Sequence, residues 1–204
     1  MRETRLQRLA GGLASRPFVY DLVQNLAGQA KVAARLRVAL ERLSSGRILD
    51  VGSSGGGFAL RLGVNPVCLD LDLRPLLALR QRGRSATPVA SDAAQLPFRD
   101  RTFDLTLCVA LAHHVGDGVL AAVTSELSRV TSGYLVFLDP IRNDARRISR
   151  FLWRYDRGRH PRTAEALLAA LERDFLVTVR ERFAVYHEYL LCVATPRPQA
   201  DQHG

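Results

Sequence analysis

A glycine-rich turn after a short apolar run has the clearest potential for ligand binding in this sequence. Residues 47–51 form the run, and Gly52-Ser53-Ser54-Gly55-Gly56-Gly57 follows before a helical pattern over 58–62. Glycines let the backbone approach a ligand closely, and a helix start offers unpaired N–H groups. Asp70 ends the next apolar run, where a carboxylate can accept hydrogen bonds from both ribose hydroxyls of a nucleoside. The pattern indicates a nucleoside-binding loop, with a turn that serves packing alone as the alternative.

Two further groups of side chains could do chemistry. His113 and His114 follow another apolar run and are candidates for a general base, with a structural or substrate-lining role as the alternative. Asp139 precedes Pro140, where it would contact a substrate or simply end a strand. Residues 141–163 hold eight arginines and three aromatic residues, which suits either an anion-binding segment or a solvated basic surface. A metal triad of His113, His114 and Asp117 is only weakly indicated.

The elements that must position these residues alternate between strand and helix patterns. Strands are predicted over residues 47–51, 67–70, 87–91, 103–111 and 133–138, and helices over 18–43, 58–62, 75–82 and 119–130. A helix over 164–173 and two strands, 175–185 and 189–194, follow, with Asp72 and Thr163 as predicted N-caps. The alternation predicts βαβ units in an α/β fold, with helices on both faces of a parallel sheet and a final antiparallel hairpin.

Length and composition narrow the classes of function. The chain has 204 residues, of which 47% are hydrophobic and 24% charged, as expected for one globular domain. No apolar run is long enough to span a bilayer or to serve as a secretory signal. Cys68, Cys108 and Cys192 lie in apolar stretches, so we expect core thiols of a reduced, cytoplasmic protein. The preference for arginine over lysine is typical of a GC-rich genome, and the net charge of +9 could serve an anionic partner.

Five motifs in order resemble the class I S-adenosylmethionine-dependent methyltransferases, in particular small bacterial members. Asp50, Gly52 and Gly56 match the D-x-G-x-G-x-G turn of that family, with Ser54 at the middle glycine. The other matching segments are residues 91–98 for D-A-x-x-L-P-F, 102–105 for S-F-D-L, 110–115 for L-H-H-V and 133–140 for the fifth strand. Ser54 also breaks the G-x-G-x-x-G fingerprint, which argues against an NAD-dependent dehydrogenase.

The resemblance implies a Rossmann-like, doubly wound, mostly parallel seven-stranded sheet with an antiparallel last strand. It also implies S-adenosyl-L-methionine as the cofactor, with Asp50 facing the ammonium, Asp70 binding the ribose and Leu71 packing against the adenine. Asp92 would accept a hydrogen bond from the adenine amine, and the Ala93 N–H would donate to a ring nitrogen. The remaining cofactor contacts would come from Gly52, Ser53, Ser54, Gly56, Val109 and Ala110.

We interpret the chain as one methyltransferase domain with two caps. The segments are an N-terminal helical cap (1–45), the cofactor-binding core (46–140), an arginine-rich cap or lid (141–173), a hairpin (174–195) and a tail (196–204). Residues predicted to line the acceptor are Tyr20, Asp139, Arg142, Arg146, Tyr155 and His160.

The predicted reaction is methyl transfer to a small-molecule acceptor by in-line displacement, with an anionic acceptor as one option. An RNA methyltransferase is the first alternative, drawn from the net charge and from Trp153 and Tyr155 among the arginines. No N-P-P-Y-like tetrapeptide follows the fourth strand, which argues against base-amine methylation. A cofactor-binding protein without turnover is the second alternative, because Ser54 departs from the family pattern. The methylated atom, the need for a base and the oligomeric state stay open.

Overall fold

The computed structural model of the chain describes residues 29–41, 43, 46–54, 63–81, 86–143, 145, 153, 159–185 and 187–198. Four helices lie in these ranges: α1 (Gln29–Leu40), α2 (Leu73–Gln81), α3 (Asp117–Val130) and α4 (Ala164–Leu171). A short 3-10 turn spans Ala112–His114. The strands are β1 (Ile48–Val51), β2 (Val67–Asp70), β3 (Thr87–Ala90), β4 (Phe103–Val109), β5 (Thr131–Ile141), β6 (Phe175–Ala184) and β7 (Glu188–Pro196).

The seven strands form one sheet in the order β3-β2-β1-β4-β5-β7-β6. The pairs from β3 through to β5 are parallel, whereas β7 is antiparallel to both β5 and β6. This confirms the predicted mostly parallel sheet with an antiparallel last strand. The chain winds outward from β1 in one direction to β3, and then in the other from β4, so the strand order reverses between β1 and β4. In open α/β sheets, ligands bind at such a reversal, beyond the carboxyl ends of the strands.

The central strands are nearly continuous apolar runs because helices cover both faces of the sheet. On one face, Leu127 of α3 and Leu167 of α4 belong to the same buried cluster as Phe137 of β5. On the other face, Leu36 of α1 belongs to a cluster with Val136 of β5. The predicted covering of both faces is therefore confirmed.

Strand β5 is longer than predicted, and the prediction that Asp139-Pro140 ends it is wrong. The strand continues to Ile141, and Asp139 and Pro140 pair with Leu190 and Tyr189 of β7. The pairing with β4 stops at Leu138, so Pro140 has a strand neighbour on one side only. A proline, which lacks an N–H, is tolerated at such a position.

Two helix starts depend on side-chain caps. The Asp72 carboxylate accepts a hydrogen bond from the Arg74 N–H at 3.0 Å, and the Thr163 hydroxyl accepts one from the Ala166 N–H at 3.3 Å. Both predicted N-caps are confirmed. Helix α2 begins two residues earlier than predicted, because a proline in the first turn of a helix removes no needed hydrogen bond.

Several predictions lie outside the described residues. These are the helix over 58–62, the start of the helix over 18–43, and the candidate residues Tyr20, Gly56, Arg146 and Tyr155. Within the described ranges, no helix combines the length and the apolar character needed to cross a bilayer.

Candidate active site

The carboxyl ends of β1, β2, β4 and β5 meet at one edge of the sheet, and most of the candidate residues gather there. Asp50 and Asp70 lie at the ends of β1 and β2, Ala110 follows β4, and Asp139 lies near the end of β5. Because the strand order reverses between β1 and β4, a crevice is expected at this edge. We therefore treat the carboxyl edge as the candidate active site.

The loop after β1 is folded back onto the end of β2. The N–H groups of Gly52 and Ser53 both donate to the Leu69 carbonyl, at 2.9 and 3.1 Å. Gly52 has a φ of +69°, and a Cβ there would lie 3.0 Å from a methyl carbon of Leu111, so the position requires glycine. Ser54 also has a positive φ, of 49°, although it carries a side chain. Such a conformation costs an L-residue about 1–2 kcal/mol relative to glycine.

Asp50 is a buried carboxylate that faces no hydrogen-bond donor in the described part of the chain. Its residue is 3% exposed, and it pairs with Cys68 of β2 and Leu107 of β4. Burial, reinforced by the nearby charge of Asp70, raises the pKa of Asp50 to about 7. A buried anion without donors is costly, so the site favours a cationic ligand that would hold Asp50 in its charged form.

Asp70 and Leu71 lie at the carboxyl end of β2, beside the expected crevice. The Asp70 carboxylate accepts the Ser54 N–H at 2.7 Å and the Asp72 N–H at 3.0 Å, which fixes its orientation. A carboxylate has about four acceptor positions, so further donors can still bind it. Leu71 is 78% exposed, which makes it an apolar surface next to that carboxylate.

Asp92 and Ala93 follow β3 at the same edge. The Ser91 N–H donates to the Asp70 carbonyl at 3.1 Å, which ties the exit of β3 to the exit of β2. The exposed Asp92 accepts the Ala94 N–H at 2.9 Å. Together with Leu71, these residues place an apolar surface among polar groups, an arrangement suited to a flat heterocycle.

The turn after β4 carries both candidate histidines and is bound to Asp139. Ala110 has a φ of 56°, and its N–H donates to the Leu138 carbonyl at 2.8 Å. The Asp139 carboxylate accepts the N–H groups of Ala112 and His113 at 2.8 and 3.2 Å, and it lies 2.9 Å from Nδ1 of His113. Asp139 is only 1% exposed, and β5 continues past it, so it does not end the strand as predicted.

Arg162 contacts the same turn from the opposite side. Its guanidinium donates to the carbonyls of Ala112 and Val115, at 2.6 and 2.7 Å, and to the Asp117 carboxylate at 2.8 Å. The prediction grouped this residue with the other arginines of 141–163 and missed the contact, since arginine-rich sequence does not distinguish a buried guanidinium from exposed ones. Asp117 is thus paired with Arg162, and no cluster able to hold a metal ion occurs among the described residues.

A row of aromatic and imidazole rings extends from this turn toward β7. The ring of His113 lies 4.0 Å from that of His114 and 6.1 Å from that of Trp153, between ring centres. Trp153 lies 4.8 Å from the buried His187, and His187 lies 6.5 Å from Tyr189. Sequence reasoning missed His187 and Tyr189. Since β7 is antiparallel, its first residues lie at the edge where the parallel strands end, and this signal could have identified them.

The remaining acceptor-lining candidates lie near the turn but are exposed. The Arg142 N–H donates to the Arg162 carbonyl at 2.7 Å, and the His160 N–H donates to the His113 carbonyl at 3.0 Å. These bonds bring the two ends of the segment 142–162 together beside the histidines. Arg142 and His160 therefore border the same edge of the sheet as Asp139.

Comparison with known proteins gives the fold and a domain match over part of the chain. Residues 49–137 match a family model described as a methyltransferase domain. No curated protein matches the chain. A protein of Pyrococcus horikoshii OT3 is 19% identical over 83% of this chain and 91% of its own, with a TM-score of 0.69. A SAM-dependent methyltransferase of Methanosarcina mazei is 18% identical over 78% of this chain and 97% of its own, with a TM-score of 0.67.

A third solved structure is a geranyl diphosphate methyltransferase in complex with GPP and sinefungin. It is 15% identical over 81% of this chain and 77% of its own, with a TM-score of 0.64. At these identities the structural likeness establishes the fold alone. Residues 49–137 match the methyltransferase domain, and this match together with the fold supports a SAM-dependent methyltransferase.

Proposed function

We propose that this methyltransferase uses the Asp50–Asp70 end of the crevice for its cofactor and methylates a small molecule bound beside the β4–β5–β7 end. The observation that carries the proposal is the buried Asp50 carboxylate, which no described residue neutralises. It lies next to the strand reversal, where a ligand is expected. A cofactor with a cationic amino-acid end would match that carboxylate.

The residues around Asp50 have the chemistry to hold S-adenosylmethionine. Asp50 binds the ammonium, Asp70 accepts from the ribose hydroxyls, and the exposed Leu71 covers one face of the adenine. Asp92 and the Ala93 N–H bind the adenine edge. The bound cofactor supplies a methyl group on a positively charged sulfur. The other predicted contacts are Gly52, Ser53, Ser54, Val109 and Ala110, while Gly56 lies outside the described residues.

His113 is the better candidate for a general base of the two histidines. Its Nδ1 lies 2.9 Å from the Asp139 carboxylate, which favours the tautomer with the proton on Nδ1. Nε2 is then the basic nitrogen and accepts a proton from the hydroxyl or amine of the acceptor. Asp139 orients the ring and stabilises its protonated form. His114, which is exposed, lines the acceptor instead.

The surroundings of the turn favour a small acceptor with a flat apolar part and an oxygen atom. Trp153 and His187 offer ring surfaces, and the buried indole N–H of Trp153 has no acceptor among the described residues. Such a group costs free energy unless a ligand atom accepts its hydrogen bond. Arg142 adds positive charge for an anionic acceptor, and the exposed His160 adds a hydrogen-bonding ring. The geranyl diphosphate methyltransferase is a protein of this fold whose structure was solved in complex with GPP. Tyr20, Arg146 and Tyr155 remain candidates outside the described residues.

The cysteines of the core indicate the redox compartment in which the protein works. Cys68, Cys108 and Cys192 are buried as free thiols. We therefore expect the protein to work in a reducing compartment such as the cytoplasm.

Calorimetry tests the cofactor site directly. We expect S-adenosylmethionine to bind the wild-type protein and Asp50→Asn to weaken the binding by roughly a hundredfold, as for a charged hydrogen bond worth about 3 kcal/mol. Asp100→Asn is the matched control. Asp100 pairs with Arg129 just before β4, at the edge of the sheet opposite the candidate site, so this change should leave cofactor binding intact. If Asp50→Asn bound S-adenosylmethionine as tightly as the wild-type protein, Asp50 would not be the residue that binds the ammonium.

A transfer assay tests the acceptor class. Protein and cofactor with a labelled methyl group are incubated with a metabolite extract and, separately, with total RNA. We expect label in the metabolite fraction. Label in RNA alone would support the RNA alternative, and tight cofactor binding with no transfer to either would support binding without turnover.

A further inference from the structure

We propose that Arg162 is a positioning residue for methyl transfer, and that it acts with Asp139 as a two-sided clamp on the turn 112–115. The inference rests on the proposed function, because the turn carries His113 and His114. It assigns a role to a buried arginine that touches neither of the predicted cofactor contacts on β1 and β2. The evidence for this role is the set of hydrogen bonds made to the two sides of the turn.

Asp139 binds the N–H side of the turn. Its two oxygens accept the N–H groups of Ala112 and His113, and one of them also faces the imidazole of His113. All of these groups are buried. A single carboxylate from β5 therefore holds the N–H side of the turn and orients the ring of His113.

Arg162 binds the carbonyl side of the same turn. Its Nη1 donates to the Ala112 carbonyl at 2.6 Å, and its Nη2 donates to the Val115 carbonyl at 2.7 Å. The neighbouring His160 N–H donates to the carbonyl between them, that of His113, at 3.0 Å. The Arg162 side chain is 9% exposed, and its Nε pairs with Asp117 at the start of α3.

The turn needs these external bonds because it makes few of its own. Its N–H groups make two local backbone hydrogen bonds, from His114 to the Leu111 carbonyl at 3.0 Å and from Val115 to the Ala112 carbonyl at 3.3 Å. The negative Asp139 accepts the N–H groups of Ala112 and His113, and the positive Arg162 donates to the carbonyls of Ala112 and Val115. Charge of each sign thus lies where the backbone dipoles favour it.

A rigid turn matters here because methyl transfer depends on alignment. Misplacement of a reacting group by about 1 Å can cost about a hundredfold in rate. Lysine at position 162 would keep the charge but lose the planar fork that reaches two carbonyls at once. We therefore expect Arg162→Lys to let the histidine turn shift while the cofactor residues stay in place.

Arg129 provides a matched control within the same chain. Its guanidinium also donates to two backbone carbonyls, of Phe98 at 2.7 Å and Leu96 at 3.0 Å, and pairs with Asp100 and Glu126. These contacts organise the loop before β4, at the opposite edge of the sheet. Arg129→Lys should therefore weaken the fold in a comparable way without moving the histidines.

The experiment compares the full-length wild-type, Arg162→Lys and Arg129→Lys proteins. The first readout is the nitrogen NMR spectrum of labelled histidines, recorded with S-adenosylhomocysteine added. We expect His113 to show the proton on Nδ1 in the wild-type protein and in Arg129→Lys, and a changed shift and titration midpoint in Arg162→Lys. An unchanged His113 signal in Arg162→Lys would overturn the proposal.

The second readout is the rate of labelled methyl transfer to the metabolite extract at saturating cofactor. We expect at least about a tenfold loss in Arg162→Lys, with cofactor affinity within twofold of wild type, and little loss in Arg129→Lys. Equal losses in the two variants would show that Arg162 acts only through stability. If the wild-type protein does not bind the cofactor, the proposed function is wrong. The histidine spectra still show in that case whether Arg162 positions His113.

Asp117→Asn covers the case in which Arg162→Lys does not fold. The Asp117 side chain is 94% exposed, so its replacement endangers the fold little. Loss of this exposed partner should loosen Arg162 and reduce transfer by about two- to threefold, with a smaller shift of the His113 signal in the same direction. No change in either measurement would count against the clamp.

Discussion

Asp50 and Asp139 are two buried aspartates at the same edge of one sheet, and their surroundings differ. Asp139 is contacted by two backbone N–H groups and by a ring nitrogen of His113. Asp50 is contacted by no donor in the described part of the chain, and burial raises its pKa to about 7. The first carboxylate is satisfied by the protein, whereas the second is available to a ligand.

This difference separates the two halves of the site. On the β1–β2 side, a charge is buried at a cost that only a bound cation would offset. On the β4–β5 side, the buried charge holds a turn in place and orients a histidine. Burial alone therefore does not identify a ligand-binding carboxylate, whereas burial without donors does.

The largest expected effect is on the side of Asp139. Asp139→Ala should lower the free energy of unfolding by roughly 3–5 kcal/mol, because the N–H groups of Ala112 and His113 would be left buried without an acceptor. Urea denaturation measures this. A loss below about 1 kcal/mol would mean that the turn finds other acceptors, and the contrast between the two aspartates would weaken.

Asp50→Asn should change the free energy of unfolding in the opposite direction and raise it. A carboxyl group with a pKa of about 7 in the folded protein and 3.8 when unfolded destabilises the fold increasingly as the pH rises between these values. Without cofactor, Asp50→Asn should therefore be more stable than wild type at pH 8, by at most about 4 kcal/mol, and the gain should vanish toward pH 4. Thermal unfolding at both pH values tests this, and a variant less stable than wild type at pH 8 would contradict it.

The smallest effect concerns the loop that joins Asp50 to Asp70. Ser54→Gly should raise the free energy of unfolding by about 1 kcal/mol, since glycine adopts the positive φ of this position without strain. Ser53→Gly is the matched control, because Ser53 has no positive φ, and it should be neutral or destabilising. Equal effects of the two changes would show that Ser54 stores no strain.

The β1–β2 half of the site was the more predictable from sequence, for a physical reason. A glycine turn directly after a strand and an acid at the end of the next strand are local features, so the pattern indicated the loop and Asp70, whereas Asp50 and Asp92 came from the family resemblance. The predicted end of β5 at Asp139-Pro140 is wrong because a proline interrupts a strand only where its missing N–H would have paired with a neighbour. The pairing of β5 with β4 stops at Leu138, so Pro140 needs no such partner on that side. Arg162 and His187 were missed because their importance arises from contacts with residues distant in the chain, which no local pattern encodes.

The central claim is that Asp50 is held charged by a cationic cofactor. Calorimetry of S-adenosylmethionine binding between pH 5.5 and 7, in buffers of different ionisation enthalpy, measures it most directly, since the amino group of the cofactor stays protonated in this range. We predict that affinity falls toward a tenfold loss per pH unit below pH 7, with release of nearly one proton at pH 6, and that Asp50→Asn shows neither effect. Binding that is tight, independent of pH and without proton release in the wild-type protein would contradict the claim.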